Sequence, residues 1–312
     1  MKKGIKAGLI SLVAGAAGMG GAAAVGNIFY DMSMVPRPRD PAEDEGKTDI
    51  ITQGRKWLRA CPARRDVLIS SVDGLRLHGA ALRQHEKVSH CWAVCVHGYH
   101  DTHESMGIYA RHYFEDLGWN VVLPDLRGHG GSEGNYVGYG WDDRLDLVAW
   151  ISRIMRRDAQ AEIVLHGVSM GAAAVLMTTG GALPGSVKAA VSDCSYTSAL
   201  AIMRHVYQRG GGRGPVGPAL SALRATVKRR DRFDLKNVNV LRAVRCSKTP
   251  TLFIHGVSDD FVPATMMAEL YEAAQCPKDF LWVPKAGHAE SVSVDTRLYW
   301  NTVDEFVCRR MS

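Results

Sequence analysis

Two pentapeptides of the form Gly-x-Ser-x-Gly stand in the sequence, Gly130-Gly131-Ser132-Glu133-Gly134 and Gly167-Val168-Ser169-Met170-Gly171. A serine hydroxyl becomes a useful nucleophile only beside a general base, and it can then carry an acyl group covalently. The pentapeptide supplies such a serine when a strand leads into it and a helix leads out, so that Oγ is exposed on a strained turn. Ser169 has both flanks: Glu162-Ile163-Val164-Leu165-His166 reads as a strand, and Met170 to Met177 as an apolar helix ended by Gly180-Gly181. Ser132 runs into Glu133-Gly134-Asn135-Tyr136-Val137-Gly138, which cannot start a helix promptly. Ser169 is therefore the expected nucleophile and Ser132 a loop serine.

On a strand-turn-helix elbow the acid and the base follow the serine in chain order, each just past a strand. Leu252-Phe253-Ile254-His255-Gly256 is such a strand, followed by Asp259 and Asp260, either of which could be the acid. The motif favours Asp259, with Asp260 nearer the mouth of the next helix, where a negative charge suits the helix dipole. His288, after the strand Phe280–Val283, is the expected base, holding the Ser169 proton during attack while the acid fixes its tautomer. The oxyanion needs two backbone N–H groups. Met170 at the helix start supplies one, and Tyr99, in the turn His97-Gly98-Tyr99, is the candidate for the other. His97, His166 and His255 each precede glycine at a strand end and read as packed structural histidines. His100, Asp101 and His103 lack the helical H-E-x-x-H spacing, so neither metal nor cofactor is expected. The seven cysteines show no C-x-x-C pair, and Cys91 and Cys95, about 13 Å apart on one strand face, cannot bridge.

The elements that must position these residues alternate. After a hairpin signal at Asp73-Gly74, short apolar runs recur at Trp92–Val96, Val121–Pro124, Ile163–Leu165, Ala189–Val191, Thr251–Ile254 and Phe280–Val283. Helix-like stretches near 104–117, 141–157, 170–179, 264–275 and 293–308 separate them. Such alternation implies an α/β domain with a mostly parallel central sheet covered by helices on both faces. Between Cys194 and Pro250 no strand appears, only two helical pieces joined by Gly210-Gly211-Gly212-Arg213-Gly214-Pro215, which predicts a helical cap at about 196–248.

The composition, 46% hydrophobic and 22% charged over 312 residues, suits one globular catalytic domain over 62–312. The net charge of +6 is uneven: from Arg204 to Lys248 twelve Lys and Arg face two Asp, a net of +10, leaving −4 elsewhere. At the N-terminus, Lys2, Lys3 and Lys6 precede a charge-free span from Ala7 to Tyr30. As a helix, that span would reach about 36 Å, enough for a bilayer core of about 30 Å. Residues 1–30 therefore read as a single-pass membrane anchor with the catalytic domain outside the cytoplasm, or as a signal segment cleaved near Ala22-Ala23-Ala24 and a secreted product. A docked helix is the poorer reading, since the span is Gly-rich and shows no amphipathic face. Residues 31–61, with Pro36, Pro38 and Pro41 before Glu43-Asp44-Glu45, read as a linker. The basic cap could further meet anionic lipid; no nucleic-acid partner is expected.

The runs His97-Gly98-Tyr99, Asp125-Leu126-Arg127-Gly128-His129-Gly130-Gly131-Ser132, His166-Gly167-Val168-Ser169-Met170-Gly171, His255-Gly256-Val257-Ser258-Asp259 and Gly287-His288 together resemble the α/β-hydrolase superfamily. The set is similar to the serine-aminopeptidase (S33-like) and monoglyceride-lipase-like branch, including membrane-anchored bacterial members, and covers about residues 64–312. The resemblance implies the α/β-hydrolase fold and the Ser169, Asp259 and His288 set; the substrate expected is a small-molecule acyl ester. It also implies a mainly structural role for Asp125, Arg127 and His129. The acidic amine-binding pattern of an aminopeptidase is absent, so an ester is expected before an amide. Dehalogenases and epoxide hydrolases of this fold carry Asp at the elbow, unlike Ser169. A non-catalytic binding protein on the same scaffold would have no need of the triad.

Overall fold

The computed structural model describes residues 19–40, 49–85, 88–210 and 215–311. Its centre is an eight-stranded sheet: β1 Arg64–Ser70, β2 Arg76–Leu82, β3 Cys91–Val96, β4 Asn120–Pro124, β5 Glu162–Val168, β6 Val187–Asp193, β7 Thr251–Gly256 and β8 Lys278–Val283. The spatial order is β1-β2-β4-β3-β5-β6-β7-β8. β2 runs antiparallel to both its neighbours, and all other pairs are parallel. The apolar runs read from the sequence are the central strands, and every residue of β4 and β7 is buried. Such strands lie between two cores. On one face α4 Asp143–Arg157, α5 Met170–Thr179 and α9 Ala264–Ala273 contribute Trp150, Leu176 and Leu270. On the other, α2 Ile50–Ala60, α3 Gly107–Arg111 and α10 Thr296–Cys308 contribute Leu58, Tyr109 and Val303. The strand order reverses between β3 and β5, and the crevice beyond the carboxyl ends at such a switch point is where ligands bind in open α/β sheets.

Helix α2 corrects the reading of 31–61 as linker. Asp49 caps it, its carboxylate accepting the Thr52 N–H at 3.0 Å, and Gly54 lies directly against Gly107. The cap contains α6 Ala199–Arg209, α7 Val216–Arg230, a 3-10 turn Leu235–Asn237 and α8 Val240–Cys246. Of the glycine-rich joint at 210–215, residues 211–214 lie outside the described residues.

The N-terminal span also needs correction in part. Residues 1–18 lie outside the described residues, but Met19–Ser33 form helix α1, which packs along α7. The docking face that amphipathic patterning missed is made by smallness. A Cβ on Gly26 would stand 2.5 Å from Thr226 Oγ1 and 2.6 Å from the Ala222 carbonyl oxygen, so the two backbones meet there. One turn on, Tyr30 is buried and donates to Asp231 Oδ1 at 2.7 Å. Arg230 lies over the Tyr30 ring and pairs with Asp31, and both Arg229 and Arg230 donate to Asn27. Arg224 and Lys228 share Asp234. Much of the basic cluster is thus answered inside the molecule. Among the described residues no helix is long and apolar enough to cross a membrane. All seven cysteines are free, Cys246 and Cys308 exposed and the others at least partly buried.

Candidate active site

β5 ends at Val168 and α5 begins at Met170, so Ser169 is the whole turn, with φ +55° and ψ −116°. A non-glycine residue there stores of order 1–3 kcal/mol of strain, held by the packed elements on either side. Those elements come so close that a Cβ on Gly171 would stand 2.2 Å from the Val96 carbonyl oxygen, and one on Gly167 2.4 Å from that of Gly171. The Ser169 N–H donates to the Asp193 carbonyl at 2.8 Å.

Ser169 Oγ and His288 Nε2 lie 2.9 Å apart, and His288 Nδ1 is 2.8 Å from Asp259 Oδ2. An ionised Asp259 accepts the Nδ1–H, which leaves Nε2 as acceptor for the serine proton. The two loops after β7 and β8 are tied together by the Ser258 N–H donating to the Ala286 carbonyl at 2.9 Å. Phe261 lies against the His288 ring, with centroids 4.9 Å apart. Asp259 Oδ1 accepts the backbone N–H groups of Phe261 and Val262. Its Oδ2 is also 3.2 Å from His255 Nε2, which donates to the Val262 carbonyl at 2.9 Å. Burial opposes charge on Asp259, but the hydrogen bonds from His255 and His288 more than offset it and hold the carboxyl well below its ordinary range.

Asp260 points elsewhere. It is exposed, its carboxylate pairs with Arg209 of α6, and its carbonyl accepts from His205 at 3.1 Å, which joins the cap to the acid loop. Ser132 is also apart from the triad. Its hydroxyl donates to the Asp125 carbonyl at 2.7 Å and accepts the His78 N–H at 2.8 Å. Met170 opens α5, where a helical N–H has no partner within the helix, and Gly98 abuts Ser169, its Cβ position 3.5 Å from Ser169 Cβ. Tyr99 follows in the same turn, so both candidate oxyanion donors belong to segments flanking Ser169.

The remaining histidines settle into structure. His97 accepts the Leu126 N–H at 3.0 Å, and His166 lies between the hydroxyls of Tyr113 and Tyr299, 2.9 Å from each. The trio His100, Asp101 and His103 does not converge. His100 stacks on Tyr99, Asp101 pairs with Arg55, and His103 bonds Asp125. Ligand-type atoms of His78, His103 and Asp125 lie within 4.8 Å of one another. Hydrogen bonds account for them: Asp125 accepts from both rings and from the His103 and Gly131 N–H groups, while Arg64 stands 3.3 Å from His103 Nε2. Arg127 completes this loop through Asp146 and Asp73, and His129 through the His100 N–H. Cys194 also approaches Asp259 and His288, but burial, with Asp193 and Asp259 nearby, pushes its thiol far up and keeps it protonated.

Two residues escaped the sequence reading. His255 has a structural bond to Val262, as expected, and in addition touches the acid. Asp193 ends β6 fully buried behind the elbow, its Oδ1 accepting from Ser291 Oγ at 3.1 Å. Burial pushes its carboxyl up to about 6. Its place at a strand's carboxyl end is the signal that could have singled it out.

Known proteins agree with this architecture. The family model for serine aminopeptidase, S33, matches residues 89–204. The uncharacterized protein Rv2307c of Mycobacterium tuberculosis is 30% identical over 247 residues, covering 79% of this chain and 80% of that one. The uncharacterized protein YqkD of Bacillus subtilis is 31% identical over 198 residues, 63% of this chain and 64% of its own length, just under two thirds. Among solved structures, the Pyrococcus furiosus esterase Pf2001 superposes with a TM-score of 0.66 at 21% identity, covering 90% of this chain and 99% of that one. With the strand order, the serine elbow and this extent of likeness together, the chain has the α/β-hydrolase fold, is similar to the serine aminopeptidase S33 model over residues 89–204, and belongs to one family with the Mycobacterium tuberculosis protein Rv2307c.

Proposed function

We propose that this protein is a serine hydrolase that cleaves a small acyl ester through an acyl-enzyme. The carrying observation is the continuous chain from Ser169 Oγ to His288 at 2.9 Å and from His288 to Asp259 at 2.8 Å. Ser169 Oγ attacks the ester carbonyl carbon as its proton passes to His288 Nε2. The carbonyl oxygen takes the negative charge, held by the N–H groups of Tyr99 and Met170. The C–O bond to the leaving alcohol then breaks, and His288 returns the proton to that oxygen. Water, deprotonated by the same His288, attacks the acyl carbon and frees Ser169. An ester is favoured over an amide because nothing in the sequence supplies an acidic amine-binding pattern.

The proposal extends to location: residues 1–30 hold the enzyme at the cell membrane, Lys2, Lys3 and Lys6 stay cytoplasmic, and the catalytic domain stands outside. The charge-free span from Ala7 to Tyr30 supports this, and since Met19–Ser33 pack on α7, a helical crossing by the whole span requires α1 to leave the cap.

The catalytic reading is tested by fluorophosphonate labelling and by turnover of p-nitrophenyl esters of increasing chain length, with amides alongside. Ser169→Ala should abolish labelling and lower kcat by about 10⁴ to 10⁶, while Ser132→Ala keeps most of both. Labelling that survives Ser169→Ala and disappears in Ser132→Ala would sink the assignment.

A further inference from the structure

Immediately after α1 the chain lies against the turn that follows β3. The Ser33 carbonyl accepts hydrogen bonds from the Tyr99 hydroxyl at 2.9 Å and the Tyr139 hydroxyl at 3.2 Å. Met34 is wholly buried, and its carbonyl accepts the Val137 N–H at 2.7 Å. Pro36 fills the space beside Gly128. A segment that composition marks as a tether thus stitches together the turn 97–100 and the loops 128–139.

The turn it grips is the one that carries the second oxyanion donor. Gly98 touches Ser169, Tyr99 is clamped between the Ser33 carbonyl and the His100 ring at 3.8 Å, and His100 itself has a left-handed φ of +54°. A turn containing a non-glycine residue at positive φ needs outside contacts to hold its geometry. An N–H aimed at an oxyanion loses most of its value when displaced by a fraction of an ångström.

We infer that the N-terminal segment Met19–Pro36 is part of the catalytic unit, in which the Ser33 carbonyl, acting through the Tyr99 hydroxyl, positions the backbone N–H of Tyr99 for the oxyanion. The inference rests on the serine-hydrolase reading and adds to it a dependence on residues far from the triad in sequence. Tyr99's side chain is a positioning group; only its N–H meets the reacting oxygen. Helix α1 is the strap's other end, fixed to the cap where Gly26 meets Ala222 and Thr226 and where Tyr30 bonds Asp231. Whatever draws α1 off α7 should therefore lower turnover without touching Ser169, His288 or Asp259.

The test uses the full chain in detergent, wild type against Tyr99→Phe and Gly26→Leu. Tyr99→Phe deletes one hydroxyl and keeps the ring and the N–H; Gly26→Leu forces α1 from α7. Competent sites are counted by the endpoint of fluorophosphonate labelling. Then kcat and KM for p-nitrophenyl butyrate, and Ki for an aryl trifluoromethyl ketone that forms the tetrahedral oxyanion, are read per competent site. Losing an oxyanion donor outright costs about 10²–10³ in kcat, so a misaimed one should cost about tenfold, with Ki rising about tenfold in step and KM little changed. A purely structural role would reduce the count of sites and leave Ki per site alone. The proposal is overturned if Tyr99→Phe keeps wild-type kcat and Ki, if its kcat falls without a rise in Ki, or if Gly26→Leu behaves as wild type. A wild-type chain that neither labels nor turns over ester would instead remove the hydrolase reading, and this inference with it.

Discussion

The two neighbouring carboxylates Asp259 and Asp260 show how little sequence distance says about role. Asp259 is buried and accepts from three donors, with His255 Nε2 3.2 Å away, while Asp260 lies in solvent against Arg209. Asp259→Asn should lower kcat by about 10⁴, because an amide cannot hold the His288 tautomer, and Asp260→Asn should cost far less. The opposite ranking in steady-state kinetics would move the acid to Asp260. The hydrogen-bonded set of Ser169, His288 and Asp259 was legible because each member follows a strand signal with its own small motif. His255 and Asp193 were not, because their contacts are made across the sheet's carboxyl edge by strands remote in sequence. Asp193 leads to a second expectation. Its carboxyl holds a proton up to about pH 6 in the folded chain and up to about pH 4 when unfolded. The native state thus binds the extra proton in that window, and its stability falls as pH rises through it, by roughly 2–3 kcal/mol in all. Asp193→Asn abolishes that slope. Whatever shape penalty the variant carries is the same at every pH, so its urea midpoint should gain on wild type between pH 4 and pH 7. A constant gap would show that Asp193 titrates normally.

At the scale of elements, the strands and the helices lining the sheet could be read from apolar periodicity, and the structure mainly lengthens the strands and trims the helices; β5 runs from Glu162 to Val168 where Ile163–Leu165 was the visible part, and α9 ends at Ala273 where 264–275 was read. Where the reading went astray, at the docking of α1 and at α2, the joint to the body is made through glycine. Periodicity weighs glycine as a helix weakness, since it costs about 1 kcal/mol against alanine, and it cannot see a neighbour that needs the missing side chain. In α2, a Cβ on Gly54 would stand 2.4 Å from the Ile108 backbone nitrogen, and one on Gly107 2.2 Å from the Gly54 carbonyl oxygen. Both obstacles are backbone, which cannot swing away. Gly54→Ala and Gly107→Ala should therefore destabilise by about 1–3 kcal/mol despite alanine's better helix propensity. A higher urea midpoint in either variant would mean that α2 does not sit where its glycine contact requires.

For the whole molecule the question is what the uneven charge and the N-terminal span do together. The segment from Arg204 to Lys248 carries +10 against −4 elsewhere, a pattern that by itself invites an anionic surface. Its densest part is instead engaged within the fold, with Arg224 and Lys228 on Asp234 and with Arg229 and Arg230 on Asn27, Asp31 and the Tyr30 ring. These contacts clamp α1 to the cap, so the cluster's first effect is to fix where the N-terminal segment leaves the domain. Charge contacts with lipid weaken as salt screens them, over about 10 Å at 0.1 M, whereas an inserted apolar span does not. On the proposed topology the full chain, expressed in a bacterial cell, should pellet with membranes at low salt and at 1 M salt alike and be released only by detergent. External protease should reach the catalytic domain once any outer barrier is opened. Arg229→Gln with Arg230→Gln should leave that fractionation unchanged while lowering kcat, since it loosens α1 and with it the strap on Tyr99. Release of the wild-type chain by salt would mean that charge, not the apolar span, holds it, and recovery of the intact chain in the cytosol would refute the anchor altogether.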